Sequence, residues 1–291
     1  MSEYCGLTIL HANRMEALRE VVFGWIQQHP LTHPLSHEVI LTHSHGMAHW
    51  LKLEFANQHR IAAALAFKLP SEFLWHSYRT VLGKEDVPLQ SAFDKKQLQW
   101  HLYRHLPEWI AQYPDDFAAL RRFLERDDDG RKRHQLALQL ADLFDQYQVY
   151  RADWLTDWSE EKYQLRLANG HITPLTDSQH WQVKLWLKLN QTLLEQINTH
   201  RAAIHPKFLS TLETLSQRPA GLPERIIVFG ISSLPAQVVE ALHALGKHCH
   251  IIMAVLNPCR HYWADIVEVR TILQREVRRR HNKRPGVPEI N

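Results

Sequence analysis

Three histidines fall within seven positions of the stretch VILTHSHGMAHW, residues 39–50: His43, His45 and His49. Side chains two apart on a strand share a face, so a His-x-His pair at a strand end is a usable ligand spacing for zinc. Three readings are open. The histidines hold a metal, as in a metal-dependent hydrolase; they are ordinary residues of a strand-to-helix turn; or they are polar groups at the C-terminal edge of a sheet that touch a ligand. The metal reading has little to complete it. Glu54 is the nearest acid downstream, and Met47 and Trp50 bracket His49 with apolar groups. Zinc-bound imidazoles are ordinarily held by carboxylates or carbonyls. No metal and no other cofactor is expected.

The elements around the cluster follow from periodicity. LTILHA (7–12) reads as a strand and NRMEALREVVFGWIQQH as a helix, with Asn13 as N-cap and Leu18, Val21, Val22 and Trp25 at helical spacing. EVILTH (38–43) is a second strand. After Gly46 a helix carries Met47, Trp50, Leu51 and Phe55 on one face. IAAALAFKLP reads as a buried strand or apolar turn, and SEFLWHSYRTVL as a helix that starts after Pro70 with Ser71 as cap. From about 90 to 215 only amphipathic helices are expected. RPAGLPE (218–224) reads as a linker. RIIVF (225–229) is continuously apolar after its arginine, as a strand buried on both faces requires, and a helix and a third strand follow it. The predicted architecture is α/β: a parallel sheet domain split by a large all-α insertion. Its parts are 1–88 and 221–268 for the sheet, 89–220 for the helical subdomain and 269–291 for a basic linker.

A strand–turn–helix start invites a search for a phosphate loop. That loop needs glycines, so that backbone N–H groups reach phosphate, and a lysine to neutralise it. The first turn here, LHANRMEAL, has neither, and Gly230 in FGISSLPAQ stands alone. Ser232 and Ser233 are not in a G-x-S-x-G elbow. Nucleotide hydrolysis is therefore not expected, and no catalytic residue is assigned.

Composition narrows the class further. Of 291 residues 45% are hydrophobic and 22% charged, and the net charge is +3, so no general basic field points to nucleic acid. Such a partner has to be argued from local aromatic and basic groups; ten tryptophans and 21 histidines supply them. Cys5, Cys249 and Cys259 show no C-x-x-C spacing, a reduced pattern. No basic leader and no long apolar run is seen, so the expected location is the cytoplasm, with no membrane contact.

Four stretches carry a resemblance. They are VILTHSHGMAHWLKLEFANQHRIAA, FKLPSEFLWHSYRTVL, ALQLADLFDQYQVYRADWLTDW and LPERIIVFGISSLPAQVVEALHALGKHCHIIMAVLNPCRHYWADI. In order, and over almost the whole chain, they resemble the amino-terminal part of the RecC family, the gamma subunits of exodeoxyribonuclease V. RecC chains are several times longer, so the resemblance implies an N-terminal fragment. It implies a degenerate helicase-like (P-loop-NTPase-like) fold without helicase chemistry. It further implies a non-catalytic role in guiding single-stranded DNA from unwound duplex ends and in recognising the Chi sequence. RecB-like and RecD-like partners, forming a heterotrimer with RecC, hold the motors and the nuclease.

The DNA-contacting positions of the family fall on His43, His45, His49, Leu69, Trp75, Asp142, Leu143, Asp145, Arg151 and Arg201. The best-known member carries glutamine, threonine and glutamine at the three histidine positions. A neutral imidazole still donates one hydrogen bond and accepts one. Trp75 suits base stacking, and Arg151 and Arg201 suit phosphate or guanine. Carboxylates repel phosphate, so Asp142 and Asp145, three apart on one helical face, suit base amino groups. Away from the resemblance, Trp75 reads equally as a core aromatic or a stacking platform, Leu143 as core, the aspartates as a solvated face and Arg151 as a surface ion-pair partner. The run ERDDDGRKRH (125–134) reads as an exposed turn, and REVRRRHNKRPGVPE (275–289) as a solvated charge run or linker.

Overall fold

A computed structural model describes residues 5–167, 169–193 and 200–258. Cys259 and the basic stretches at 269–291 and 275–289 lie outside the described residues.

The chain begins with β1 (Gly6–Ala12), α1 (Met15–Gln28), β2 (Glu38–Leu41), α2 (His45–His59), β3 (Leu65–Lys68) and α3 (Pro70–Leu82). A helical stretch follows: α4 (Lys95–Gln112), α5 (Ala118–Leu124), α6 (Arg131–Tyr150) and α7 (Ala152–Ser159). Then come β4 (Gln164–Arg166), β5 (Ile172–Pro174), α8 (His180–Thr192), α9 (Arg201–Thr214), β6 (Arg225–Phe229), α10 (Ala236–Leu245) and β7 (His250–Leu256). Five strands form one parallel sheet in the order β1-β7-β6-β2-β3. β6 is buried at all five positions, as its apolar run requires.

Alternation along the central strands sorts their side chains onto two faces. Ile40, Ile227, Phe229 and Ile252 pack with Leu18, Val22, Phe23 and Leu51 of α1 and α2. Leu41, Ile226, Val228 and Ile251 pack with α3, α9 and α10. A separate core of Leu98, Leu102, Phe144, Trp158 and Trp186 joins α4, α6, α7 and α8. Helix α9 falls within 89–220, yet its Ile204, Phe208 and Leu212 belong to the sheet's core.

Several local expectations shift. The buried face of α1 is Leu18, Val22, Phe23 and Ile26, and Val21 is exposed; spacing alone allowed either phase. Arg14, not Asn13, is the N-cap of α1. Pro70 opens α3 behind Leu69, so Ser71 lies inside the helix; proline at the first helical position needs no N–H partner. The stretch expected to be helix alone includes the antiparallel ribbon β4–β5. Buried Arg225 and Glu38 pair across β6 and β2, and Arg225 Nη2 also donates to the His29 carbonyl at 2.9 Å. Among the described residues no helix is long and apolar enough to cross a membrane.

Candidate nucleic-acid interface

The turn after β2 is built by its small polar residues. Ser44 caps α2, its Oγ accepting from the Met47 N–H at 3.2 Å, and Thr42 Oγ1 donates to the Ser44 carbonyl at 3.2 Å. β2 has ended at Leu41, so His43 lies in the turn and His45 opens the helix. The strand-like pairing of the two rings is thereby lost to the cap. His43, His45 and His49 are all exposed. Among the described residues no group of three or more His, Cys, Asp or Glu side chains is arranged to hold a metal. The hydrolase reading therefore has no assembled ligand set here.

The neighbouring turns at the same sheet end are apolar. Gly230, just after β6, has φ +64°, and a Cβ there would lie 2.7 Å from Met15 Cε and 3.8 Å from Met47 Cε. The first residue of α1 and an early residue of α2 thus bring thioethers to the turn after β6. A thioether carries no charge and donates nothing.

Beside this apolar closure opens a cavity of about 420 Å³. It lies between α3, the end of α6, the start of α9 and the loop after β6. Its walls include His43, Trp75, Tyr78, Asp145, Arg201 and Ser233. Trp75 is half-buried, and its Nε1 donates to the carbonyls of Pro88 and Leu89 at 3.1 and 3.3 Å. Its ring meets Tyr78 edge-on at 6.2 Å. Tyr78 in turn bonds His205 Nδ1 at 2.7 Å, and His205 Nε2 bonds Glu240 at 3.0 Å. Burial pushes the Tyr78 phenol far above its ordinary value, so at neutral pH it is a neutral wall.

Arg201 is the first residue of α9, behind the cap residue His200. Its guanidinium lies 3.7 Å from Asp94 and 3.9 Å from Asp145. These separations are too long for hydrogen bonds. The contacts are ion pairs without hydrogen bonds, and the side chain donates to no described residue. Burial holds the Asp145 carboxyl above its usual range and Arg201 opposes that, while Asp94 adds to it. A cation ion-paired to two carboxylates without a hydrogen bond, a pinned indole and a half-buried carboxylate therefore share one cavity, and groups of these types can grip a phosphate, stack a base and read its amino group.

The other candidates stand apart from that cavity. His45 and His49 do not line it. Leu69 is the N-cap of α3, half-buried, one residue before the lining Pro70. Asp142 pairs with Lys95 and accepts from Gln146 at 2.9 Å, bonds that hold its carboxyl below the usual range. Leu143 is half-buried. Arg151 lies 3.9 Å over the Trp154 ring, pairs with Asp153 at 2.9 Å and bonds the Arg166 carbonyl. Tyr78, Asp94 and Ser233 were missed. Tyr78 could have been found as the residue one helical turn from Trp75; the other two carry no sequence signal.

Comparison with known proteins gives a consistent answer. A family model described as RecC, N-terminal domain, matches residues 7–288. The chain is 40% identical over 263 residues to "RecBCD enzyme subunit RecC" of Escherichia coli (strain K12), covering 89% of this chain and 22% of that protein. Its counterpart in Haemophilus influenzae is 32% identical over 276 residues, 90% of this chain and 24% of the relative. The Mycolicibacterium smegmatis protein of the same description is 26% identical over 261 residues, 87% and 22%. The chain thus spans about a quarter or less of the length of these curated relatives.

Proposed function

The chain belongs to the RecC family, and from that premise we propose that it forms part of a non-catalytic subunit of a RecBCD-type complex in DNA repair. In this reading it works in the cytoplasm beside RecB-like and RecD-like partners, guides single-stranded DNA and recognises the Chi sequence within it. The sheet is a helicase-like scaffold that keeps the architecture of a motor without its phosphate loop. The sheet segments supply His43 and Trp75, and the stretch 89–220 supplies Asp145 and Arg201.

One observation supports this reading above the others: Arg201, ion-paired to Asp94 and Asp145 without a hydrogen bond to either, lines the same cavity as Trp75 and Asp145. Stacking on an aromatic ring contributes about 1–3 kcal/mol per base, and a bidentate arginine discriminates bases by a similar amount. A carboxylate in the same cavity disfavours bare phosphate, so the site selects among bases as well as holding a strand. Six of the ten candidate positions lie outside the cavity lining, and for these the family resemblance alone supports a contact.

The test uses the full-length protein assembled with its partner subunits. Arg201→Ala and Asp145→Asn complexes are assayed on duplex DNA with and without Chi. The expected outcome is normal unwinding with the Chi response reduced at least tenfold in both. An unchanged Chi response in both variants would remove the assignment.

A further inference from the structure

Trp100 is 59% exposed in the middle of α4. Its ring meets Tyr103 edge-on at 5.9 Å and His134 of α6 at 5.8 Å. Arg133 lies 4.1 Å over the Tyr103 ring and donates to its hydroxyl at 2.8 Å, which fixes that neighbour. Lys96 and Arg104 stand one helical turn before and after Trp100, and both are exposed. Neither forms an ion pair or hydrogen bond with a described residue. Of the acids on α4 and in the turn before α6, Glu108 lies 3.8 Å from His105, Asp127 accepts from the Lys132 and Arg133 backbone N–H groups, and Asp129 pairs with Arg131.

Helices α4 and α6 run antiparallel, with Lys95 against Asp142 and Gln99 against His134. Along α6, Asp145 in the cavity wall leads through Asp142 and Leu138 to His134 beside Trp100. Eleven residues of helix span about 16 Å, the rise of about five stacked nucleotides of one strand.

We propose that Lys96, Trp100 and Arg104 form a second contact for single-stranded DNA, a stacking platform about 16 Å along α6 from the cavity. This rests on the reading that the protein handles single strands. Every base offers a π-face to the indole, so the platform is tolerant of sequence. The two uncompensated cations meet phosphates on either side of the stacked base. A protein partner is the weaker fit, because among the described residues the large exposed apolar groups between His134 and Asp145 of α6 and along α4 are Trp100 and Leu138, flanked by two cations that an apolar interface would have to desolvate.

The test again uses the full-length assembled complex, with Trp100→Ala, Trp100→Phe, the pair Lys96→Gln/Arg104→Gln, and Arg201→Ala as the cavity variant. Binding of a single-stranded oligonucleotide is measured by anisotropy across a salt series, and photocrosslinking from iodinated bases is mapped. Trp100→Ala should weaken binding about tenfold and Trp100→Phe much less. The paired glutamines should flatten the logarithmic salt slope by about 1.4, the value for two phosphates on a single strand. Crosslinks to Trp100 should sit about five nucleotides from those to the cavity. Unchanged affinity and salt slope in the platform variants, with Arg201→Ala impaired, would overturn the platform and leave the cavity reading standing. Indifference of all four variants would overturn both. Loss of a partner subunit from the Trp100→Ala complex, with DNA affinity intact, would mark the face as a protein interface and overturn the proposal.

Discussion

His200 makes a pH dependence that can be worked through from its surroundings. The ring is buried against Phe93 and Trp186, with centroids 5.4 and 5.5 Å away. Its Nδ1 accepts from the Ala203 N–H at 3.2 Å, which caps α9. Only the neutral ring can accept there. Burial, helped by Lys207, lowers its pKa from 6.5 to about 4. A folded-state value below the unfolded one means that the unfolded chain takes up the proton first as pH falls. The stability that neutral His200 contributes is therefore fully present above about 6.5, declines as pH falls to about 4, and declines no further below that. The separation of the two values corresponds to about 3 kcal/mol. Half-buried His101, also lowered to about 4, titrates in the same window, so a difference measurement is needed. Asparagine at position 200 keeps a capping acceptor without a titrating ring. In urea unfolding at pH 7.5 and pH 4.5, with a slope of about 3 kcal/mol/M for a chain of this size, the parent should lose about 1 M more in midpoint than His200→Asn. The variant starts less stable at pH 7.5, because it loses the aromatic contacts. Equal midpoint losses in parent and variant would refute the reasoning.

Two further outcomes follow from the sheet. Glu38→Ala should destabilise by about 3–5 kcal/mol in thermal or denaturant unfolding, because Arg225 is left charged and buried, whereas Glu38→Leu with Arg225→Met should recover most of the loss. Gly230→Ala should cost about 1–3 kcal/mol, and Met15→Ala in the same chain should return the steric share while the strain of φ +64° remains.

The sequence made the sheet legible wherever one residue property decided the outcome. RIIVF could only be a strand buried on both faces, and it is. The α1 stripe could be drawn through Trp25 or through Phe23, because the two lie two positions apart in a helix with apolar residues on more than one side; contact with β6 and β7 chose Phe23. β4 and β5 are three residues each, too short for alternation to stand out. At the site, the chain read alone offered only the histidines, and the Ser44 cap separates their roles. Trp75, Asp145 and Arg201 are 126 residues apart end to end, and nothing local links them; the family resemblance brought them forward together. Tyr78 and Asp94 needed the packing of α3 and α9 to be seen.

The strand order has a consequence for how the protein is made. Among the described residues β1 bonds neither β2 nor β3, and its ladder partner is β7, with Leu7 opposite Ile251. β2 meets β6 with Val39 opposite Ile226. During synthesis β1 therefore emerges from the ribosome long before β7, its partner in the sheet. The helical core of α4 to α8 rests on local contacts and can condense first, shortening the span that must close before the sheet zips up. Until then β1, with Leu7 and Ile9 among its residues, is an unpaired edge for chaperones to shield.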